Sequence, residues 1–381
     1  MKVLMLGLGQ AGSKIADLFL ADDRKSHVPH TFEAIAINTA TSDLMGLQYI
    51  PQEDRILLGE TIVKGHGVGA DNRKAAEIAE EESEIVLNRV SKFDTSNIDA
   101  FIVAGGRGGG TGSGTISVIC KQLKKIYDEP IYAIGILPAE TEGDIYTLNA
   151  ARSLKALLPN CDATILVDNG AFLRSGESVR EAYERINTEV VKRIGVLCRA
   201  GEARSRKDVG EMVVDAAEVI NTMKAGGICS IGYASEIIER EGFFTSLFRR
   251  KQYQIGKASR IISVTKRAVK GRLLLPCEYR TAQKALIVIA GPPDQLDRNG
   301  ISKAREWLEN NISGTEVRGG DYPLPKSSYV GCVVLLAGIS NAPRVKAMLE
   351  RAKMVQQKVT EGPHKEKDLQ FLLGDIENLQ L

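Results

Sequence analysis

The first half of the chain alternates short apolar runs with longer stretches in which apolar residues recur every three or four positions. Val3–Leu6, Ala34–Ile37, Ala100–Val103, Ile131–Ile136 and Ala163–Val167 are continuous apolar runs of strand length. Between them lie helix-like segments, Ala11–Phe19, Ala70–Asn88, Thr115–Tyr127 and Tyr146–Leu157. Continuous rather than alternating apolar runs suit strands buried on both faces. The β-α alternation predicts an α/β domain, a doubly wound parallel sheet covered by helices on both sides. The loops leaving the carboxyl ends of its strands are where such a sheet binds ligands.

The pattern changes near Glu177. Ser178–Arg199 is a long helical stretch with Val179, Tyr183, Ile186, Val190 and Ile194 on its apolar side, followed by a polar segment, Gly201–Gly210. Strand Ile228–Tyr233, helix Lys257–Val269, strand Ala285–Ala290, helix Ser302–Asn310 and strand Val330–Leu336 then predict a smaller α+β C-terminal domain. The expected division is 1–177 for the first domain, 178–210 for a central connecting helix and linker, 211–355 for the C-terminal domain and 356–381 for a tail. In that tail Leu369, Leu372, Leu373, Ile376 and Leu379 fall on one face of a helix, which docks on the body or binds a partner such as an adaptor protein.

Composition excludes several classes. A net charge of +2 on 381 residues gives no electrostatic reason to expect nucleic acid or an anionic membrane as the main partner. No apolar run approaches the roughly 18 residues that span a bilayer, and no signal-peptide pattern precedes the first strand. The six cysteines form no C-x-x-C pair, so reduced thiols in a cytoplasmic protein are expected rather than zinc or disulfides. The four histidines show no metal spacing.

Two glycine-rich loops carry the chemistry. Gly7-Leu8-Gly9-Gln10-Ala11-Gly12 follows a strand and opens a helix, the context in which backbone amides meet a phosphate. A dinucleotide site would end the second strand in an acid near the ribose. Here that strand ends in Asn38-Thr39-Ala40-Thr41, which weakens the reading as an NAD-dependent oxidoreductase. The second loop, Gly105 to Gly114, contains seven glycines with Arg107, Thr111 and Ser113. So many glycines cost backbone entropy, and a ring of amide donors around an anion at a helix end is the compensation. No lysine lies inside it, so it is not the G-x-x-x-x-G-K-[ST] loop.

Gly108 to Gly114 reads GGGTGSG and resembles the signature of the tubulin/FtsZ superfamily; Gly9-Gln10-Ala11-Gly12 is similar to the tubulin form of the first phosphate loop. FtsZ-like length with a tubulin-like first loop most resembles the archaeal CetZ group. The resemblance implies GTP/GDP and Mg²⁺, with Gly9, Gln10, Ala11, Gly12 and Asn38, and Gly108, Gly109, Gly110, Thr111, Gly112, Ser113 and Gly114, around the nucleotide. It places Val68 and Gly69 at the γ-phosphate, Glu142 of the Pro138–Gly143 loop at the ribose, and Asn169, Tyr183 and Asn187 at the guanine base. Cell-division relatives carry an aspartate where Ala40 stands and an arginine where Tyr146 stands. Gln10 is left as the candidate near the metal.

Asp215 and Glu218 resemble the acids of the family's N-x-D-x-x-D/E loop, with Val213 in place of the asparagine. Three apart at a helix start, they project from one side of the first turn, where acids also cap and meet the helix dipole. The resemblance implies that they polarise the water attacking another subunit's γ-phosphate, so that a longitudinal homopolymer completes its own GTPase site. The apolar and basic stretch Glu241–Lys251 docks on the body, makes a lateral or partner contact, or touches a membrane. The implied function is a GTP-hydrolysing cytoskeletal protein in control of cell shape; the alternative is a nucleotide-binding filament scaffold with little hydrolysis.

Overall fold

The computed structural model of the chain describes residues 1–26, 28–174, 176–202, 214–238, 250–271 and 273–361. The tail helix expected over 369–379, Val213 and almost all of 241–251 lie outside the described residues.

The chain begins with β1 (Val3–Leu8), α1 (Gly9–Lys25), β2 (Phe32–Asn38), α2 (Thr41–Met45), β3 (Arg55–Leu57), α3 (Glu60–Val63), α4 (Asn72–Glu81) and α5 (Ser83–Val90). There follow β4 (Ala100–Gly106), α6 (Gly110–Lys124), β5 (Ile131–Leu137), α7 (Asp144–Leu157), β6 (Ala163–Asp168), α8 (Asn169–Phe172) and α9 (Val179–Arg199). The second half comprises α10 (Ala216–Met223), β7 (Ile228–Ile237), α11 (Arg250–Gly271), β8 (Lys284–Gly291), α12 (Arg298–Glu309), β9 (Glu316–Pro323), β10 (Tyr329–Ile339) and α13 (Pro343–Glu361).

Among the described residues, ten strands join one sheet in the order β3-β2-β1-β4-β5-β6-β7-β10-β8-β9. From β3 to β7 every pairing is parallel; β10 is antiparallel to both β7 and β8, and β8 runs parallel to β9. Within the sheet the two halves are joined by the β6–β7 pairing, Thr164 with Ile228 and Ile165 with Cys229. The parallel order reverses direction between β1 and β4, so the loops after these strands diverge to opposite faces and leave a crevice at their carboxyl ends.

Strand alternation divides the core between the faces. Val3 and Met5 of β1 join one cluster with Ile15, Phe19 and, from α9, Ile186, Val190 and Ile194. Leu4, Leu6 and Leu8 point into the other, with Ile78 of α4, Val86 of α5 and Ile116 of α6. The first cluster continues into Ile231, Val288 and Val333, so α9 is buried against both halves of the sheet. Each such side chain contributes roughly 1.5–3 kcal/mol on burial. Ser178 caps α9 in a capping box with Glu181, which fixes where the helix starts.

Several elements depart from the pattern-based expectation. The helix expected over 70–88 is broken at Glu82 into α4 and α5, and Asp71 rather than Ala70 starts it by accepting from the backbone N–H groups of Arg73 and Lys74. Helix α6 begins at Gly110, inside the glycine run. Helix α13 runs through 355, where the tail was expected to begin. Its Val345 and Met348 pack with Leu154 of α7, and its Ala352 and Val355 pack with Leu148.

Candidate functional site

The β1–β4 crevice opens into a cleft of about 360 Å³, lined by the loops that follow β1, β2, β4, β5 and β6, the 67–70 loop and one side of α9. Each wall has a local cause. Gly9 adopts φ +66°, and a Cβ on it would lie 2.8 Å from the amide nitrogen of Gly112, so the two glycine loops touch back to back. A Cβ on Gly12 would lie 2.1 Å from the carbonyl oxygen of Ala104, which is what allows α1 to lie on β4. Helices α1 and α6 therefore both point their N-termini, with unpaired amides and positive dipole ends, into one space.

The 67–70 loop is held against this pair. Gly67, Gly69 and Ala70 all have positive φ, at 79°, 59° and 65°. The glycines adopt this conformation freely, but Ala70 holds it only where surrounding contacts determine it. The Gly67 amide donates to the Thr39 carbonyl at 3.0 Å, and Asn149 Nδ2 of α7 donates to the carbonyls of Ala70 at 2.7 Å and Gly108 at 3.0 Å. Thr39 and Thr111 share a 2.8 Å hydroxyl hydrogen bond. Asn38 accepts from the amides of Thr39 and Ala40 at 2.8 and 3.2 Å, and donates to Asp43 at 3.0 Å.

Of the predicted residues, Gly9, Gln10, Ala11, Asn38, Val68, Gly69, Gly108, Gly109, Gly110, Thr111, Gly112, Glu142, Asn169, Tyr183 and Asn187 line the cleft. Gly12, Ser113 and Gly114 form the layer behind the wall. The Ser113 hydroxyl donates to the Gly109 carbonyl, and a Cβ on Gly114 would strike Asn72 of α4 at 2.2 Å. Glu142 accepts from the Ala139 amide at 2.7 Å, and Asp168 caps α8, so that Asn169 is presented at its first turn. Burial and the charge of Glu142, which lines the same cleft, push the Tyr183 phenol up.

Three cleft-side residues escaped sequence reasoning. Asp43 lies on α2, one turn beyond Ala40, and accepts from Gln10 Nε2 at 3.3 Å. Lys14 stands one turn after Gln10 on α1. Arg107 is fully buried; Nη1 donates to Ser153 at 2.8 Å, while Nε and Nη2 have no partner. Burial lowers its pKa to about 10. Spacing from Ala40 could have found Asp43; nothing in the sequence marks Arg107 as buried.

Asp215 and Glu218 do not line the cleft. Asp215 is the N-cap of α10, and Glu218 turns toward Arg318 of β9, its Oε1 3.7 Å from Nη1 and its Oε2 buried without a partner.

A parallel α/β sheet with two glycine loops converging on its switch point, a long helix closing the cleft and a mixed sheet beyond it define a tubulin-like protein. The "Tubulin/FtsZ family, GTPase domain" model matches residues 2–177, and the "Tubulin-like CetZ, C-terminal domain" model matches 176–354. Tubulin-like protein CetZ1 of Haloferax volcanii is 44% identical over 371 residues, covering 95% of this chain and 94% of its own length. The CetZ of Pyrococcus abyssi is 33% identical, covering 100% and 98%. Among solved structures, the GDP-bound monomer of Haloferax volcanii CetZ1 superposes with a TM-score of 0.83 at 44% identity, covering 93% of this chain and 100% of that one. The GTPγS-bound protofilament of CetZ2 from the same organism gives 0.85 at 38% identity, covering 94% and 100%. The chain belongs to the CetZ family of tubulin-like cytoskeletal proteins.

Proposed function

We propose that the chain binds GTP in the β1–β4 cleft, polymerises head to tail and hydrolyses GTP to GDP and phosphate only where two copies meet. The observation that carries this is the convergence of the α1 and α6 N-termini on one space that is also lined by a carboxylate, Glu142, and by Asn169, Tyr183 and Asn187. Amides and helix dipoles take the phosphate charge. Tyr183 offers a stacking face and the two asparagines offer donors and acceptors to a guanine edge. The solved relatives, one a GDP-bound monomer and one a GTPγS-bound protofilament, support the same reading.

Mg²⁺ fits this site through Asp43. A carboxylate beside phosphates repels them unless a cation lies between, and Mg²⁺ takes one or two carboxylates together with phosphate oxygens. Asp43 would hold it directly, with the side chains of Gln10 and Asn38 orienting the carboxylate. When bound, Mg²⁺ neutralises charge across the β- and γ-phosphates. Asp215 and Glu218, in the half of the chain beyond α9, would orient and deprotonate the attacking water at the next copy's nucleotide.

A second reading, a filament scaffold with little hydrolysis, is favoured by one observation: Asp215 is engaged as a cap, and Glu218 faces Arg318 of its own chain. GTP turnover measured against protein concentration beside light scattering separates the two. Turnover that rises with assembly supports the GTPase; assembly without turnover supports the scaffold. GTP should outcompete ATP for the cleft, and equal affinity would overturn the base assignment. The filaments would act in the cytoplasm on cell shape, a role tested by deleting the gene and imaging cell outlines.

A further inference from the structure

The loop between β5 and α7, residues 138–143, carries Glu142 to the cleft, yet its own backbone makes few internal hydrogen bonds. The Glu142 amide donates to the Ala139 carbonyl at 3.0 Å, and the Ala139 amide donates to the Glu142 side chain. Three carbonyls of the segment instead receive guanidinium donors from α13. Arg344 Nη2 donates to the Pro138 carbonyl at 2.6 Å. Arg351 Nη1 donates to the Glu140 carbonyl at 2.6 Å, and its Nη2 to the Glu142 carbonyl at 3.3 Å.

The same two side chains hold the elements on either side. Arg351 meets Asp144 Oδ1, in the first turn of α7, at 2.7 and 3.0 Å. Arg344 Nε lies 3.4 Å from Oδ1 of Asp168, the residue that caps α8 and so presents Asn169. Arg344 and Arg351 are seven residues apart, two turns on one face of α13. The apolar stripe Val345, Met348, Ala352 and Val355 beside them is buried against α7 and its surroundings, which fixes the helix and hence the reach of both guanidiniums. The planar five-donor fork of arginine suits such multiple carbonyl contacts better than a lysine ammonium.

We propose that Arg344 and Arg351 are positioning residues for the nucleotide, holding the sugar-side loop and the start of α8 so that Glu142 and Asn169 meet ribose and base together. Neither arginine lines the cleft. Both act through the loop, and through them a helix of the C-terminal half controls how long the nucleotide stays and how well its sugar is read. The inference rests on the guanine-nucleotide reading of the cleft.

The test uses the full chain with GTP, 2′-deoxy-GTP and 3′-deoxy-GTP as probes, and reads the GTP dissociation rate and the preference for GTP over each deoxy analogue. Losing the guanidinium donors should raise the dissociation rate about tenfold in Arg351→Ala, the scale of one net charged hydrogen bond. The preference for GTP over the analogues should fall with it. Arg351→Lys should recover part of both. Glu142→Ala should already lack the sugar preference, and adding Arg351→Ala should not lower it further. Arg152→Ala removes another contact between α7 and α13, to Gln356 at 2.7 Å, without touching the loop, and should leave the sugar preference unchanged. If Arg351→Ala fails to fold, Arg344→Gln gives the same readout at the other anchor. A wild-type protein that binds no guanine nucleotide overturns the reading of the cleft itself. One that binds GTP without sugar preference, or whose arginine variants keep the wild-type rate and preference, overturns this inference alone.

Discussion

Asp215 Oδ1 accepts a hydrogen bond of 3.0 Å from the backbone N–H of Glu218, so the two acids that open α10 are locked in one turn of helix. Within a single chain this arrangement is a cap, and the second acid leans on Arg318. Both carboxylates are therefore positioned within the single chain; to serve a neighbour's nucleotide as proposed, Glu218 would have to leave an ion pair of 3.7 Å.

That environment predicts a pH dependence. Burial pushes the Glu218 carboxyl up from its ordinary value; the charge of Asp215 adds to the rise, and Arg318 and Arg305 oppose it. If hydrolysis needs the ionised form, its acid limb should lie above the ordinary glutamate range, and Arg318→Ala should move it to still higher pH. The stability effect has the opposite sense to a salt-bridged acid. A raised folded-state pKa means that the folded chain holds the proton longer, so stability is greatest below the unfolded value and falls as pH rises through the folded one. Glu218→Gln should consequently melt higher than wild type at neutral pH, with the difference vanishing in acid. A melting curve at each pH checks the sign, and a neutral-pH loss in the glutamine variant would contradict it.

The glycines of the two loops should divide by what a methyl group would meet. On Gly12 it meets the Ala104 carbonyl oxygen at 2.1 Å, whereas on Gly109 it meets nothing within 4 Å. Gly12→Ala should destabilise the fold by about 1–3 kcal/mol, the range for overpacking. Gly109→Ala should melt with wild type yet bind GTP more weakly, because the open space in front of it is the space proposed for phosphate. Calorimetry and nucleotide titration on the same samples separate the two effects. A Gly109→Ala protein with unchanged GTP affinity would place the phosphates elsewhere.

Arg107 offers a stability prediction of unusual sign. Its guanidinium is fully buried with two nitrogens unpartnered, and its one side-chain acceptor, Ser153, has its own bond of 2.6 Å to the Ser113 carbonyl. An apolar side chain of similar volume removes a desolvated charge without leaving a partner stranded. Arg107→Met should therefore be as stable as wild type or more so in a denaturant titration. Arg107→Ala should lose stability through the cavity it leaves. A large loss in the methionine variant would show that the charge stabilises the fold in a way the contacts do not explain.

Much of this was legible in the chain, for physical reasons that also mark the limit. Strands β1, β2, β4, β5 and β6 read as continuous apolar runs because both of their faces are covered. Strand β3 is three residues long, and β9 carries Gly319, Gly320 and Asp321, so neither gave a period to detect. The start of α6 was hidden because glycine is a poor helix former; close packing against Val68, Gly106 and Asn72 overrides the propensity there. Most of the phosphate-side residues that sequence reasoning identified lie in loops whose glycines announce themselves, whereas Tyr183 and Asn187 of α9 came from the family resemblance. Asp43, Asn149 and the α13 arginines act across the fold from helices, where an isolated polar residue looks like ordinary surface until the topology brings it in.

The final prediction concerns a site shared between copies. The glycine loops and the acids lie on opposite sides of α9 in sequence, and the acids do not reach their own cleft. Specific GTPase activity should rise with concentration and collapse below a threshold. Glu218→Gln should still bind GTP, because Glu218 touches no loop of its own cleft, but should lose hydrolysis by roughly 10²–10⁴-fold, the contribution of a positioned proton-transfer group. Its filaments should outlast those of wild type, since the diphosphate state is reached slowly. Gly110→Val keeps both acids but drives a side chain into Val68, 2.4 Å from the position of its Cβ, and should bind nucleotide poorly. Mixed, the two proteins form contacts in which an intact cleft of one meets intact acids of the other. Activity in the mixture should then exceed the sum of the two alone, provided that sedimentation shows both in the same pellet. Co-sedimentation without recovered turnover, together with a wild-type rate that does not change on dilution, would mean that Asp215 and Glu218 do not serve a neighbour's nucleotide.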